Sequence, residues 1–189
     1  MTARWRRWVW AGLAILLCVA FLHFCVRIIS ADEEAPVAQG SAPEIGGFVV
    51  PVQGVRSAAL VDSFAEARAD GARVHDAIDI PAPAGTPVLA VAAGRIEKIF
   101  WSEAGGRTLY QRSRDGRLIY YYAHLQDYAP GLREGQSVRQ GQQLGTVGST
   151  GNADPAGPHL HFAVQQMRAG ERWHEGRAIN PYPLLKSAR

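Results

Sequence analysis

From about residue 46 onward, apolar and polar positions alternate over short runs that glycine and proline interrupt: 48–51, 77–80, 88–91, 95–101, 108–112, 118–123, 143–147 and 160–165. Alternation with a period of two in runs of this length is the pattern of half-buried strands, and the Gly/Pro punctuation marks turns between them. Asp115-Gly116, between two such runs, is a hairpin signal, because the favoured two-residue turn needs positive φ at both positions. No stretch carries a long helical periodicity; a turn or two around 64–69 is the most the pattern suggests. The expected fold class is all-β, built on an antiparallel sheet.

The N-terminal segment reads differently. Arg4, Arg6 and Arg7 precede an unbroken apolar run over 8–26, which Arg27 and then Asp32-Glu33-Glu34 follow. At about 1.5 Å per residue such a run crosses a hydrocarbon core of about 30 Å as one helix. The excess of arginine before it predicts a single-pass anchor in the cytoplasmic membrane, with the N-terminus in the cytoplasm and the body outside. A signal peptide cleaved near Ala31 is the rival reading; the run is long for a signal peptide, which favours the anchor. Residues 30–45 are acidic, Ala- and Pro-containing and without periodicity, so they read as a linker. The expected organisation is therefore an anchor over 1–29, a linker over 30–45 and one domain over 46–189.

Composition narrows the chemistry. A formal net charge of +3, with no basic block in the body, argues against a nucleic-acid partner. Both cysteines, Cys18 and Cys25, fall in the apolar run, so the body has no disulfide, no thiolate nucleophile and no Cys-ligated zinc. Bulky Phe24 before Cys25 argues against lipidation there.

Candidate chemistry lies in the histidines. His159-Leu160-His161-Phe162 opens an apolar strand; residues i and i+2 share a face, so two imidazoles point one way while Leu160 and Phe162 point to the core. One imidazole can bind a metal and the other stand over its open position. His75 and Asp79 are four apart, about 13 Å if fully extended, so both reach one ion only if the chain turns just after His75 and Asp79 lies on the strand. Asp76 would face solvent. His124 closes an aromatic strand, Tyr120-Tyr121-Tyr122-Ala123-His124. Two His and one carboxylate form a three-ligand zinc set with a fourth position for water, whose pKa zinc lowers from 15.7 to about 7. Nearby imidazoles can move protons and stabilise an oxyanion.

His75 to Asp79, Tyr122-Ala123-His124-Leu125 and His159-Leu160-His161-Phe162, in this order, resemble the lysostaphin-type (LytM-like) zinc metallopeptidases of the bacterial cell wall. The glycine-punctuated Gly148-Ser149-Thr150-Gly151 and the closing Ile179-Asn180-Pro181 fit the same family. The resemblance implies a curved antiparallel sheet bearing Zn2+ on His75, Asp79 and His161, with His124 and His159 as catalytic histidines. It implies endopeptidase cleavage of peptidoglycan stem peptides or crosslinks; the arginine-rich anchor suggests that the domain lies in a Gram-negative periplasm, held at the inner membrane. Two departures stand out: Ala77 replaces a common glycine, and Ala163 replaces a usual acidic residue.

Two other classes compete. Some members of the family have lost ligands and act as non-catalytic activators of cell-wall amidases; the intact set here argues against that. A lipoyl- or biotinyl-like carrier, suggested by the glycine-rich runs, would need a lysine at a hairpin tip, and neither Lys98 nor Lys186 has that setting. His174, in His174-Glu175-Gly176, lacks a second metal ligand nearby and is expected on the surface.

Overall fold

A computed structural model of the chain describes residues 47–68 and 73–187. The expected anchor over 1–29 and linker over 30–45 lie outside the described residues. Among the described residues no helix is long and apolar enough to cross a membrane.

Eleven strands occur among these residues: β1 (Ala67–Arg68), β2 (Arg73–Val74), β3 (Ile78–Pro81), β4 (Pro87–Leu89), β5 (Gly94–Ser102), β6 (Gly106–Ser113), β7 (Leu118–Tyr128), β8 (Ser137–Val138), β9 (Gln143–Val147), β10 (His159–Gln166) and β11 (Arg177–Ile179). One five-residue helix, α1 (Tyr182–Lys186), follows. The main sheet is open and antiparallel, in the order β11-β10-β7-β6-β5-β8. β10 has β7 on one side; on the other, β3 pairs its first half and β11 its second. β9 pairs both β4 and the far end of β7.

Alternation sets the core. Leu160, Phe162, Ile78, Ile80, Leu109 and Tyr122 are fully buried and cluster with Val52, Val88, Leu144 and Val147. The opposite faces of β3, β7 and β10 are thereby left for polar side chains. Tyr122 would bury a hydroxyl in this core, a costly step without partners. Its oxygen donates to Gln111 Oε1 at 2.8 Å and accepts from the Val91 amide at 3.0 Å, and Gln111 Nε2 donates to the Ala92 carbonyl at 2.7 Å. This buried relay ties β6 and β7 to the segment that follows β4.

Three local expectations are corrected. Residues 48–51 form no strand, and only an isolated bridge joins Val52 to Val88. Over the described residues 64–68 there is no helix but a turn leading into β1, which pairs with β2. The Asp115-Gly116 turn is not the two-residue type, because Gly116 has φ of 73° while Asp115 is not in the positive-φ region. Asp115 instead accepts hydrogen bonds from the Ser113 hydroxyl at 2.7 Å and the Arg117 amide at 3.1 Å, which closes a longer turn with only one left-handed residue. The short strands β8 and β11 follow no alternation long enough to predict them.

Candidate metal centre

Three elements bring the predicted residues together. On β10, Leu160 and Phe162 are buried in the core, which turns His159 and His161 to the opposite face. Asp79 sits directly across the ladder from His161, on β3, and Ala123 of β7 opposes His161 on the other side. His75 directly follows β2, and the bend before β3 falls at Ala77, which turns the chain as the spacing to Asp79 requires. The His75 amide donates to the Glu66 carbonyl at 2.9 Å and its carbonyl accepts from the Ala65 amide at 2.8 Å, which continues the β1–β2 pairing and anchors the residue. Asp76 is exposed.

The donor atoms form a nearly equilateral triangle. His75 Nε2 is 3.1 Å from His161 Nδ1 and 3.2 Å from Asp79 Oδ1; His161 Nδ1 is 3.1 Å from Asp79 Oδ1. Tetrahedral zinc at about 2.0–2.1 Å from its ligands sets them about 3.3 Å apart, so this donor set fits the ion. Among the described residues, these three are the group of His, Cys, Asp and Glu close enough to share a metal.

The tautomers follow from the main chain. A carbonyl only accepts, so each imidazole nitrogen facing one must carry the proton. His75 Nδ1 donates to the Ser63 carbonyl at 2.8 Å, which leaves Nε2 as the lone-pair donor in the triangle. His124 Nδ1 donates to the Thr150 carbonyl, and His159 Nδ1 to the Gly157 carbonyl, each at 2.8 Å. Both therefore present a basic Nε2, and His159 Nε2 lies 3.8 Å from Asp79 Oδ1. The His124 ring centre is 5.0 Å from that of His159 and 5.6 Å from that of His161.

Simple alternation would send His124 into the core with Tyr120 and Tyr122. It does not go there, because β7 carries a bulge. β6 pairs Leu109 with Tyr122 and then Arg107 with Leu125, so two residues of β7 stand against one of β6. His124 has φ of 59°. Leu125 takes the core position at 0% exposure, while Tyr121, Ala123 and His124 all line a groove of about 560 Å3 that also contains the donor triangle.

Electrostatics agree with this assembly. Burial raises the Asp79 carboxyl, but the hydrogen bond and charge of His161, with the charges of His75 and His159, outweigh it and hold the group well below the usual carboxylate range. Burial pushes the His124 imidazole down to about 4, against the opposing pull of the Thr150 carbonyl. Burial also raises the Tyr121 phenol, with Tyr110 adding to the effect, so at neutral pH the groove holds a neutral imidazole beside a protonated phenol.

A family model for peptidase family M23 matches residues 73–181, more than half of the chain. The chain belongs to peptidase family M23. The L-Ala--D-Glu endopeptidase of Bacillus subtilis (strain 168) is 35% identical over 122 residues, 62% of this chain and 36% of that protein. The catalytic domain of the antimicrobial peptidase lysostaphin from Staphylococcus simulans superposes with a TM-score of 0.55 and 31% identity, covering 66% of this chain and 90% of that domain. A zinc-containing peptidase from Vibrio cholerae has a TM-score of 0.58 at 25% identity, covering 72% of this chain and 39% of that one. The M23 chain thus spans about a third of the length of the Bacillus relative while covering nearly all of the lysostaphin catalytic domain. Zinc is the metal that this M23 donor set accommodates.

The residues predicted from sequence, His75, Asp79, His124, His159 and His161, all line the one groove, and His174 lies outside it, exposed and edge-on to Trp173 with ring centres 4.6 Å apart. Ser63 was not foreseen. Besides its carbonyl bond to His75, its hydroxyl accepts the Asp79 amide at 3.1 Å, so one buried residue orients two ligands. A serine in an irregular segment gives no sequence signal of such a role. Tyr121 was also missed, although its phase opposite Tyr120 and Tyr122 placed it on the histidine face.

Proposed function

We propose that this chain is a zinc-dependent endopeptidase that hydrolyses peptide bonds of peptidoglycan stem peptides or crosslinks. In this reading it works in the periplasm, held at the cytoplasmic membrane by its N-terminal segment. The observation that carries it is the pairing of the donor triangle with two imidazoles whose Nδ1–H groups are tied to the main chain and whose Nε2 atoms are basic. The endopeptidase named among its relatives and the lysostaphin fold support the substrate class.

Bound at His75, Asp79 and His161, zinc supplies a Lewis acid that polarises a peptide carbonyl and acidifies water toward a pKa of about 7. The remaining steps belong to side chains. Nε2 of His124 or His159 accepts the proton of the attacking water and returns it to the leaving amine, and the imidazolium formed stabilises the developing oxyanion. Tyr121, kept protonated by burial, is a neutral donor on the same groove wall. The non-catalytic activator reading lacks support from any observation of the site, since no ligand or imidazole is missing.

Zinc-loaded protein is incubated with purified peptidoglycan and with defined dimeric muropeptides, and the products are read by mass. Cleavage that a chelator stops and that His161→Ala lacks is the expected result. Unimpaired function of metal-free or His161→Ala protein overturns the proposal.

A further inference from the structure

The bulge that aims His124 leaves a structural debt, and one residue settles it. Where β6 and β7 slip out of register, Arg107 faces Leu125 beyond the extra residue, and the ladder is locally disrupted. The Thr150 hydroxyl stands in the gap: it accepts the Arg107 amide at 2.9 Å and donates to the Leu125 carbonyl at 2.8 Å. The carbonyl of the same residue accepts the His124 Nδ1–H at 2.8 Å. Thr150 thus bonds to both strands immediately past His124 through its side chain and to the ring through its main chain.

The surroundings leave it little room. A Cβ on Gly106 would come within 2.2 Å of Thr150 Oγ1, and one on Gly151 within 2.3 Å of the Gly106 nitrogen. The Asn152 amide donates to the Ala104 carbonyl at 3.0 Å, and the His124 amide to the Gly105 carbonyl at 2.8 Å. Backbone lies against backbone on both sides of the threonine.

Resting on the peptidase reading above, we infer that Thr150 is the positioning residue of His124, its hydroxyl holding the bulge open and its carbonyl fixing the ring. The demand is specific. Only a side chain that both donates and accepts at Oγ closes the gap; valine has the shape without the hydrogen bonds, and serine keeps the hydrogen bonds without the methyl.

The test uses the full-length, zinc-loaded protein with a defined dimeric muropeptide. Thr150→Val is expected to lower kcat by about 10²-fold, the order seen when a reacting group moves by about 1 Å, with zinc content and KM unchanged. Thr150→Ser is expected to restore most of the rate, and Thr150→Val added to His124→Ala to cause no further loss. In 15N-histidine spectra the His124 signal should show the Nδ1–H tautomer in wild type and Thr150→Ser, and should change in Thr150→Val. Wild-type rates in Thr150→Val, equal damage from serine and valine, or an undiminished valine effect without His124 would each overturn the assignment. Should Thr150→Val fail to fold, the wild-type tautomer and the serine rate decide it: an Nε2–H tautomer or an inactive serine variant overturns it. If wild type cleaves no muropeptide, the peptidase reading fails on its own, and the His124 signal across the variants still settles the positioning role.

Discussion

His161 of β10 and Asp79 of β3 are direct cross-strand partners, and His161 Nδ1 lies 3.1 Å from Asp79 Oδ1. Two ligands are therefore held by the sheet ladder itself, and the site is built before any ion arrives. Chelator-treated protein should keep its β-sheet circular dichroism, and zinc should raise its melting temperature, since a ligand at 100 times its Kd adds about 2.7 kcal/mol. Collapse of the β signal on metal removal would contradict a preformed site.

Ser63 tests how far the ligands depend on their supports. Ser63→Ala deletes the hydroxyl that accepts the Asp79 amide and spares the carbonyl that accepts His75 Nδ1–H. Loss of such an outer contact typically weakens metal binding about 10–100-fold. Chelator competition should report a drop of that order, with the fold intact; unaltered affinity would show that the ladder alone positions Asp79.

Acid should destabilise the metal-free protein in a defined window. The His124 imidazole titrates near 4 when folded, against 6.5 ordinarily. Between those values the unfolded chain binds the proton and the folded chain does not, so stability is fully present above about 6.5 and declines as pH falls to about 4. The Asp79 carboxyl, held low, extends the decline below 3.8. Melting temperatures measured from pH 7 to 4 should fall, and His124→Asn should flatten the slope. A wild-type profile without slope would rule out the buried neutral imidazole.

Two glycines separate backbone strain from steric blockage. Gly116 and Gly151 both have positive φ, 73° and 78°, but a Cβ on Gly116 meets nothing within 4 Å while one on Gly151 lies 2.3 Å from the Gly106 nitrogen. Gly116→Ala should cost about 1–2 kcal/mol from the left-handed conformation alone. Gly151→Ala should add an overpacking cost of about 1–3 kcal/mol and lower activity through the His124 wall. Equal denaturation midpoints for the two variants would refute the close approach.

Much of this was legible because strand parity is short-range. Leu160 and Phe162 fixed the face of His159 and His161, and Ile78 and Ile80 placed Asp79 on a strand. The turn after His75 followed from reach alone. His124 was found by its neighbours in the motif, whereas the alternation of Tyr120 and Tyr122 argued for the wrong face; the register slip that corrects it depends on β6, which a local pattern does not contain. Ser63 and Thr150 act through hydrogen bonds to residues 16 and 25 positions away in the chain, and no periodicity records those. The turn at Asp115-Gly116 misled because an Asp side chain can close a turn by accepting amide and hydroxyl protons as well as by adopting positive φ.

The additional residue in β7 also decides where along the groove its imidazole stands. Deleting Ala123 would remove the bulge and restore plain alternation: Leu125 would still face the core, but the imidazole would move to the register position opposite His161, away from the Thr150 carbonyl that holds it. Zinc binding would persist, since all three ligands lie on other segments, while the imidazole would no longer be held where the bulge aims it. Chemistry here is encoded by the number of residues in a strand as much as by their kind.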